Sequence, residues 1–106
     1  MSKDYEELME KSIAKSADLV NEEILVTIDV SMYPNKEDFI PPIKGFIKTI
    51  NTYSNLKITT FPTSTVIQGE YHHAMNSVKE IILVCHQEFN NAVYVIKVIP
   101  GYEALE

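Results

Sequence analysis

Apolar residues change period several times along this chain. From Asp4 to Val20 the apolar positions Tyr5, Leu8, Met9, Ile13, Ala17 and Val20 recur at three- and four-residue steps with charges between them, which predicts an amphipathic helix. From Ile24 the period becomes two. Ile24, Val26, Ile28, Val30 and Met32 alternate with Leu25, Thr27, Asp29, Ser31 and Tyr33, the pattern of a long strand that Pro34 and Asn35 stop. Helical spacing returns at Ile40, Ile43, Phe46, Ile47 and Ile50, with Pro41 and Pro42 in a first turn that lacks intrahelical N–H partners anyway. Leu56 to Phe61 and Ser64 to Glu70 read as strands. His72 to Glu88 reads as a helix with the stripe Ala74, Val78, Ile81, Ile82, Cys85 and Phe89, and Ala92 to Ile99 as a last strand before Pro100-Gly101.

The order β-α-β-β-α-β predicts an α+β, ferredoxin-like fold: a four-stranded antiparallel sheet with both helices on one face. Residues 1–22 form a helical extension and 23–106 the domain. Because the helices cover one face only, the other is the place to look for function. Alternation puts Thr27, Asp29, Ser31 and Tyr33 of the first strand on that open face, with Val93, Val95 and Lys97 of the last. The third strand adds Ser64, Val66, Gln68 and Glu70, with Thr65 and Ile67 inward; the second adds Lys57, Thr59 and Phe61. Such a face is too apolar for water and too polar for a plain core, which predicts association of copies through it. Asp29 and Lys97 are expected as a cross-strand ion pair.

Composition narrows the partners. The chain has 9 lysines, no arginine and 15 acids, a formal charge of −6, so neither nucleic acid nor an anionic membrane surface is expected as partner. Cys85 is the only cysteine, which excludes an internal disulfide, and the first twenty residues lack the apolar run of a leader or a membrane span. A cytoplasmic location is the expectation. His72 and His73 diverge on a helix and His86 lies far along it, so no metal site is expected. Cys85 on the apolar stripe reads as core. No nucleophile–base pair and no glycine-rich phosphate loop is evident, so the chain is not expected to be an enzyme or to carry a cofactor. A structural or regulatory interaction domain, or a small dimeric ferredoxin-like enzyme, are the alternatives to a binding protein.

Two stretches resemble a known family. Ser31-Met32-Tyr33-Pro34 followed by Glu37-Asp38 and a helix, and Thr63-Ser64-Thr65-Val66-Ile67-Gln68-Gly69-Glu70, are similar in order and setting to the thiamine/hydroxymethylpyrimidine-binding (YkoF-like) proteins, over about residues 24–100. The N-terminal helix has no counterpart there, and the last strand lacks the basic residue many relatives carry. The resemblance implies ferredoxin-like domains that associate through their sheets and bind thiamine or its pyrimidine part without catalysis. It implies a homodimer or homotetramer, and a role in thiamine uptake or salvage. Its motifs carry ligand-binding expectations onto Ser31, Tyr33, Thr65, Gly69 and Glu70. Asp29 joins them from its place on the open face, beside Ser31 and Tyr33. An aminopyrimidine offers ring acceptors and an exocyclic donor that hydroxyls and carboxylates can fix, and a thiazolium suits an aromatic face such as Tyr33 or Phe61.

Overall fold

The computed structural model describes Glu7 and residues 23–35 and 38–105; the predicted N-terminal helix, Glu7 apart, lies outside the described residues. The elements are β1 (Leu25–Pro34), α1 (Ile40–Ile50), β2 (Lys57–Thr60), β3 (Thr65–Glu70), α2 (Tyr71–Phe89) and β4 (Ala92–Pro100). They form one sheet in the order β2-β3-β1-β4 with all neighbours antiparallel, the ferredoxin-like arrangement.

Alternation decides the faces, as expected from β1. Val26, Ile28 and Val30 are at most 2% exposed and meet Ile67, Phe46, Ile50, Val78, Ile81 and Cys85 in the core. Register carries the same face to β3 and β4, because Ile28 pairs with Ile67 and Val98, and Val30 with Thr65 and Ile96. The open face therefore holds Thr27, Asp29 and Ser31 beside Val66, Gln68, Val95, Lys97 and Ile99. The helices approach closely where Gly45 meets the Phe89 ring; a Cβ there would lie 2.6 Å from Phe89 Cε2. Asn90 ends α2 at φ 62° and ψ −141°, outside the left-handed helical well, with its N–H bonded to His86 O at 2.9 Å.

The open face is not bare throughout. After Gly101, whose φ of 73° glycine adopts without steric cost, the chain turns back across the sheet. Gly101 N–H donates to Leu25 O, Thr27 Oγ1 donates to Tyr102 O, and Ala104 N–H donates to Thr27 Oγ1. Gln68 Nε2 donates to Leu105 O at 2.8 Å while Leu105 N–H donates to Gln68 Oε1 at 2.7 Å. Thr27 and Gln68 are consequently 2% exposed each on the face opposite α1 and α2. Both buried side chains have partners, which removes the penalty for burying them. Among the described residues no helix is long and apolar enough to cross a membrane.

Candidate ligand site

A cavity opens where β1 ends. Val30, Met32, Tyr33 and Pro34 form one wall, Phe39, Ile43, Phe46 and Ile47 of the α1 end another, and Thr60–Thr65 of the β2–β3 hairpin the third. It encloses about 440 Å³, within the range of small-molecule pockets. Each wall follows from local sequence. Pro34 ends the strand, Pro62 and Thr63 turn the hairpin with Phe61 N–H bonded to Ser64 O, and Pro41 and Pro42 fill the first turn of α1. The floor is apolar. The mouth carries Tyr33, Phe39 and Phe61, exposed at 57, 52 and 47%, three large rings grouped around one opening. The hydroxyls of Thr60, Thr63, Ser64 and Thr65 line it and bond to no other described residue.

The expected site residues divide into three groups. Tyr33 and Thr65 meet in this cavity; Thr65 is 4% exposed and points to the helix side, beside Val30. Ser31 faces the open side and reaches the same end of the sheet by donating to Thr63 O at 3.1 Å. Asp29 lies on the open face between Val66 and Lys97, and its Oδ1 is buried with no hydrogen-bond partner. The register places Asp29 and Lys97 side by side, yet the expected ion pair does not form through that oxygen.

Gly69 and Glu70 are elsewhere. They pair with Val26 and Leu25, so Glu70 is six positions of β1 from the level of Ser31, or about 20 Å at 3.3 Å per residue. The expected convergence of Glu70 with Asp29, Ser31 and Tyr33 is therefore not found. Glu70 caps α2 instead: its carboxylate accepts from His72 N–H at 2.7 Å and His73 N–H at 3.2 Å, and the first of these bonds chiefly holds its pKa below the ordinary value. Gly69 is a packing position, because a Cβ there would lie 2.7 Å from Leu56 Cδ2 and 3.2 Å from Asn55 O. Helical spacing places Ile43 and Ile47 on one face of α1 but gives no sign of the cavity, and Phe39, two residues before Pro41, is singled out by no sequence signal.

Other reactive groups are accounted for by packing. Cys85 is 1% exposed and burial pushes its thiol pKa up. Tyr94 packs on Phe46 with ring centroids 6.2 Å apart, and burial beside Cys85 pushes its phenol up to about 12. His73 Nε2 is 2.7 Å from Ser54 O, tying the start of α2 to the loop after α1. Among the described residues no three His, Cys, Asp or Glu side chains are grouped to hold a metal ion.

The ferredoxin-like fold hosts many unrelated functions, and likeness to known proteins narrows the choice. The family model of the thiamine-binding proteins matches residues 28–100, and the chain belongs to that family. A protein of Streptococcus pneumoniae is similar in structure, with a TM-score of 0.68 and 25% identity over 74% of this chain and 88% of that one. So is a candidate thiamine biosynthesis/salvage protein of Thermotoga maritima, with a TM-score of 0.66 and 26% identity over 76% of this chain and 85% of that one. A Methanocaldococcus jannaschii protein at 21% identity and TM-score 0.64, covering 77% of this chain and 84% of that one, shares the fold. No curated protein matches the chain.

Proposed function

We propose that the protein binds thiamine or its hydroxymethylpyrimidine part, without catalysis, as a homo-oligomer that supports thiamine uptake or salvage in the cytoplasm. The observation that carries this reading is the cavity: three exposed rings at its mouth and, in its wall, hydroxyls that bond to no other described residue, inside the stretch that matches the thiamine-binding family. A thiazolium cation over Tyr33, Phe39 or Phe61 gains about 0.5–2 kcal/mol from the ring faces. The hydroxyls of Thr65 and Ser64 can donate to pyrimidine nitrogens and accept from the exocyclic amine. Ser31 positions the hairpin through Thr63. Asp29, with an unpartnered oxygen on the open face, would receive a donor from the ligand or from a second copy stacked on that face. The start of α1 faces the cavity with Pro41 and Pro42 in its first turn, so two backbone donors that would otherwise attract a phosphate are missing. This favours the ring end of the ligand inside and any phosphate outside.

Titration calorimetry with thiamine, hydroxymethylpyrimidine and their phosphates tests it. Binding of thiamine or hydroxymethylpyrimidine that weakens in Tyr33→Ala and Thr65→Val supports the site; binding unchanged by both moves it elsewhere, and no binding ends the reading. A second reading, an interaction domain without a ligand, is favoured by Val93 and Val95, 62 and 48% exposed on the open face. Sedimentation at micromolar concentration checks the association that both readings share.

A further inference from the structure

The sheet has two outer strands, and they are protected differently. β2 is four residues long, reads Lys-Ile-Thr-Thr and is followed two residues later by Pro62. Short length, a lysine and a nearby proline are common means of stopping an edge from pairing. β4 has nine residues, Ala92–Pro100, of which Lys97 alone is charged. Its register with β1 runs unbroken from Val26↔Pro100 to Pro34↔Ala92, so no bulge bends it. Among the described residues β1 is its only partner strand, so on alternate residues its N–H and C=O groups point away from the sheet. A long, regular, apolar edge of this kind is a template for another strand.

β4 is also exposed on both faces. Val93, Val95 and Ile99 on the open side and Ile96 and Val98 on the helix side are 38–62% exposed. Yet Ile96 pairs with Val30 and Val98 with Ile28, which are 2 and 0% exposed. Across one strand spacing of about 4.8 Å the same layer passes from core to solvent. The residues after β4 do not shield it, because they turn inward to Leu25, Thr27 and Gln68. A copy stacked on the open face would meet Val93, Val95 and Ile99 and leave Ile96 and Val98 in water. A neighbour that arrives from the side reaches both sets, and it also takes up the outward main-chain groups.

We infer that β4 pairs antiparallel with β4 of a second copy, joining two four-stranded sheets into one of eight strands. The strand is self-complementary about Ile96. With Ile96 opposite the partner's Ile96, Val95 falls opposite the partner's Lys97, Tyr94 opposite the partner's Val98, and Val93 opposite the partner's Ile99. Directly opposed residues share a face, so apolar side chains meet on both sides and all nine residues are used. Centring the pair on Lys97 would set two lysines against each other. Centring it on Ile96 separates them, and each lysine keeps Asp29 beside it in the β1 register, so the joint carries no net charge. This edge is distinct from the open face and from the cavity, whose lining includes no residue of β4.

Sedimentation of the full chain at micromolar concentration tests this. Ile96→Lys and Ile96→Asp put like charges on the two-fold axis, and each is expected at half the parental mass. Mixed in equal amounts they are expected to recover that mass, because position 96 of one copy meets position 96 of the other. Ile96→Cys decides the matter if the charged variants fail to fold. Opposed residues of an antiparallel pair lie about 4.5–5.5 Å apart at Cα, within disulfide reach, so oxidised glutathione should link the two copies. Cys85, 1% exposed, does not compete, and Val98→Cys, opposite the partner's Tyr94, should stay unlinked. A monomeric parent overturns the inference and leaves the edge to a strand of another protein. Parental mass in both charged variants, an unlinked Ile96→Cys, or equal linking at Val98→Cys overturns it too. Thiamine calorimetry on the same parent sample reports the cavity separately: no binding there ends the ligand reading and leaves the edge pairing standing.

Discussion

The two ends of the sheet are built from similar residues and used differently. At the end where β1 starts, the polar groups described are committed to the fold: Glu70 to the α2 N-terminus, Thr27 and Gln68 to the returning chain. Gly69 there is filled in by Leu56 and Asn55. At the end where β1 finishes, Thr60, Ser64 and Thr65 keep their hydroxyls unbonded to other described residues, and three rings stand in solvent around a cavity. Residue type does not separate the ends. Glu70 has the more obvious binding chemistry, yet among the described residues it is the Thr65 hydroxyl that is left unbonded. A ligand is recognised by groups that the fold has left uncommitted, because a satisfied donor or acceptor must first give up a bond to make another.

The contrast can be attacked from either end. A side chain at Gly69 meets Leu56 and Asn55, so Gly69→Val is expected to lower stability by about 1–3 kcal/mol in urea unfolding, since the Leu56 methyl must shift and the Asn55 carbonyl is already tight. At the open end Tyr33→Ala should change stability by no more than about 0.5 kcal/mol. Affinity for thiamine should fall about two- to thirtyfold, the range that 0.5–2 kcal/mol implies, read by calorimetry. Equal losses of stability at both positions would erase the distinction between the ends. Thr27→Val removes one hydroxyl bonded to two backbone partners. It should cost about 0.5–1.5 kcal/mol and speed exchange of the Ala104 amide, with ligand affinity unchanged.

The smallest expected effect is the pH dependence of the cap. The Glu70 pKa lies below its ordinary 4.5 in the folded chain, chiefly through the His72 N–H bond. A lowered folded pKa gives stability that is present above the ordinary value and lost as pH falls through the lowered one. The melting temperature of Glu70→Ala should therefore trail the parent by a constant margin between pH 8 and about 5. Below that the two curves should draw together. A margin that persists at pH 2 would mean that the carboxylate charge is not what caps the helix.

The fold was legible because alternation is a local signal. Val26, Ile28 and Val30 declare the buried face of β1, and Lys97 fixes the phase of β4 by breaking an otherwise apolar run. The cavity was only half legible. Tyr33 and Thr65 could be singled out from short motifs, whereas Phe39 and Ile43 join them through a tertiary approach of the α1 start to the hairpin that no spacing encodes. Glu70 was misleading for a physical reason: parity set it on the open face, but the helix that begins at the next residue claims its carboxylate. The returning chain at Gly101–Leu105 could not be foreseen either. A lone glutamine among β-branched residues gives no hint of what its amide will meet.

That glutamine has a consequence for how the protein tolerates change. A carboxamide can present a donor and an acceptor side by side, and Gln68 uses both on the N–H and C=O of Leu105. Thr27 likewise bonds only to the backbone, at Tyr102 and Ala104. The sheet thus reads the last stretch of chain by its amide groups and ignores its side chains. Residues 102–104 can drift to almost any type other than proline at Ala104, whose N–H is used, while Gln68 and Thr27 cannot. Two fixed positions in the middle of the sheet license variation at three positions far from them in sequence.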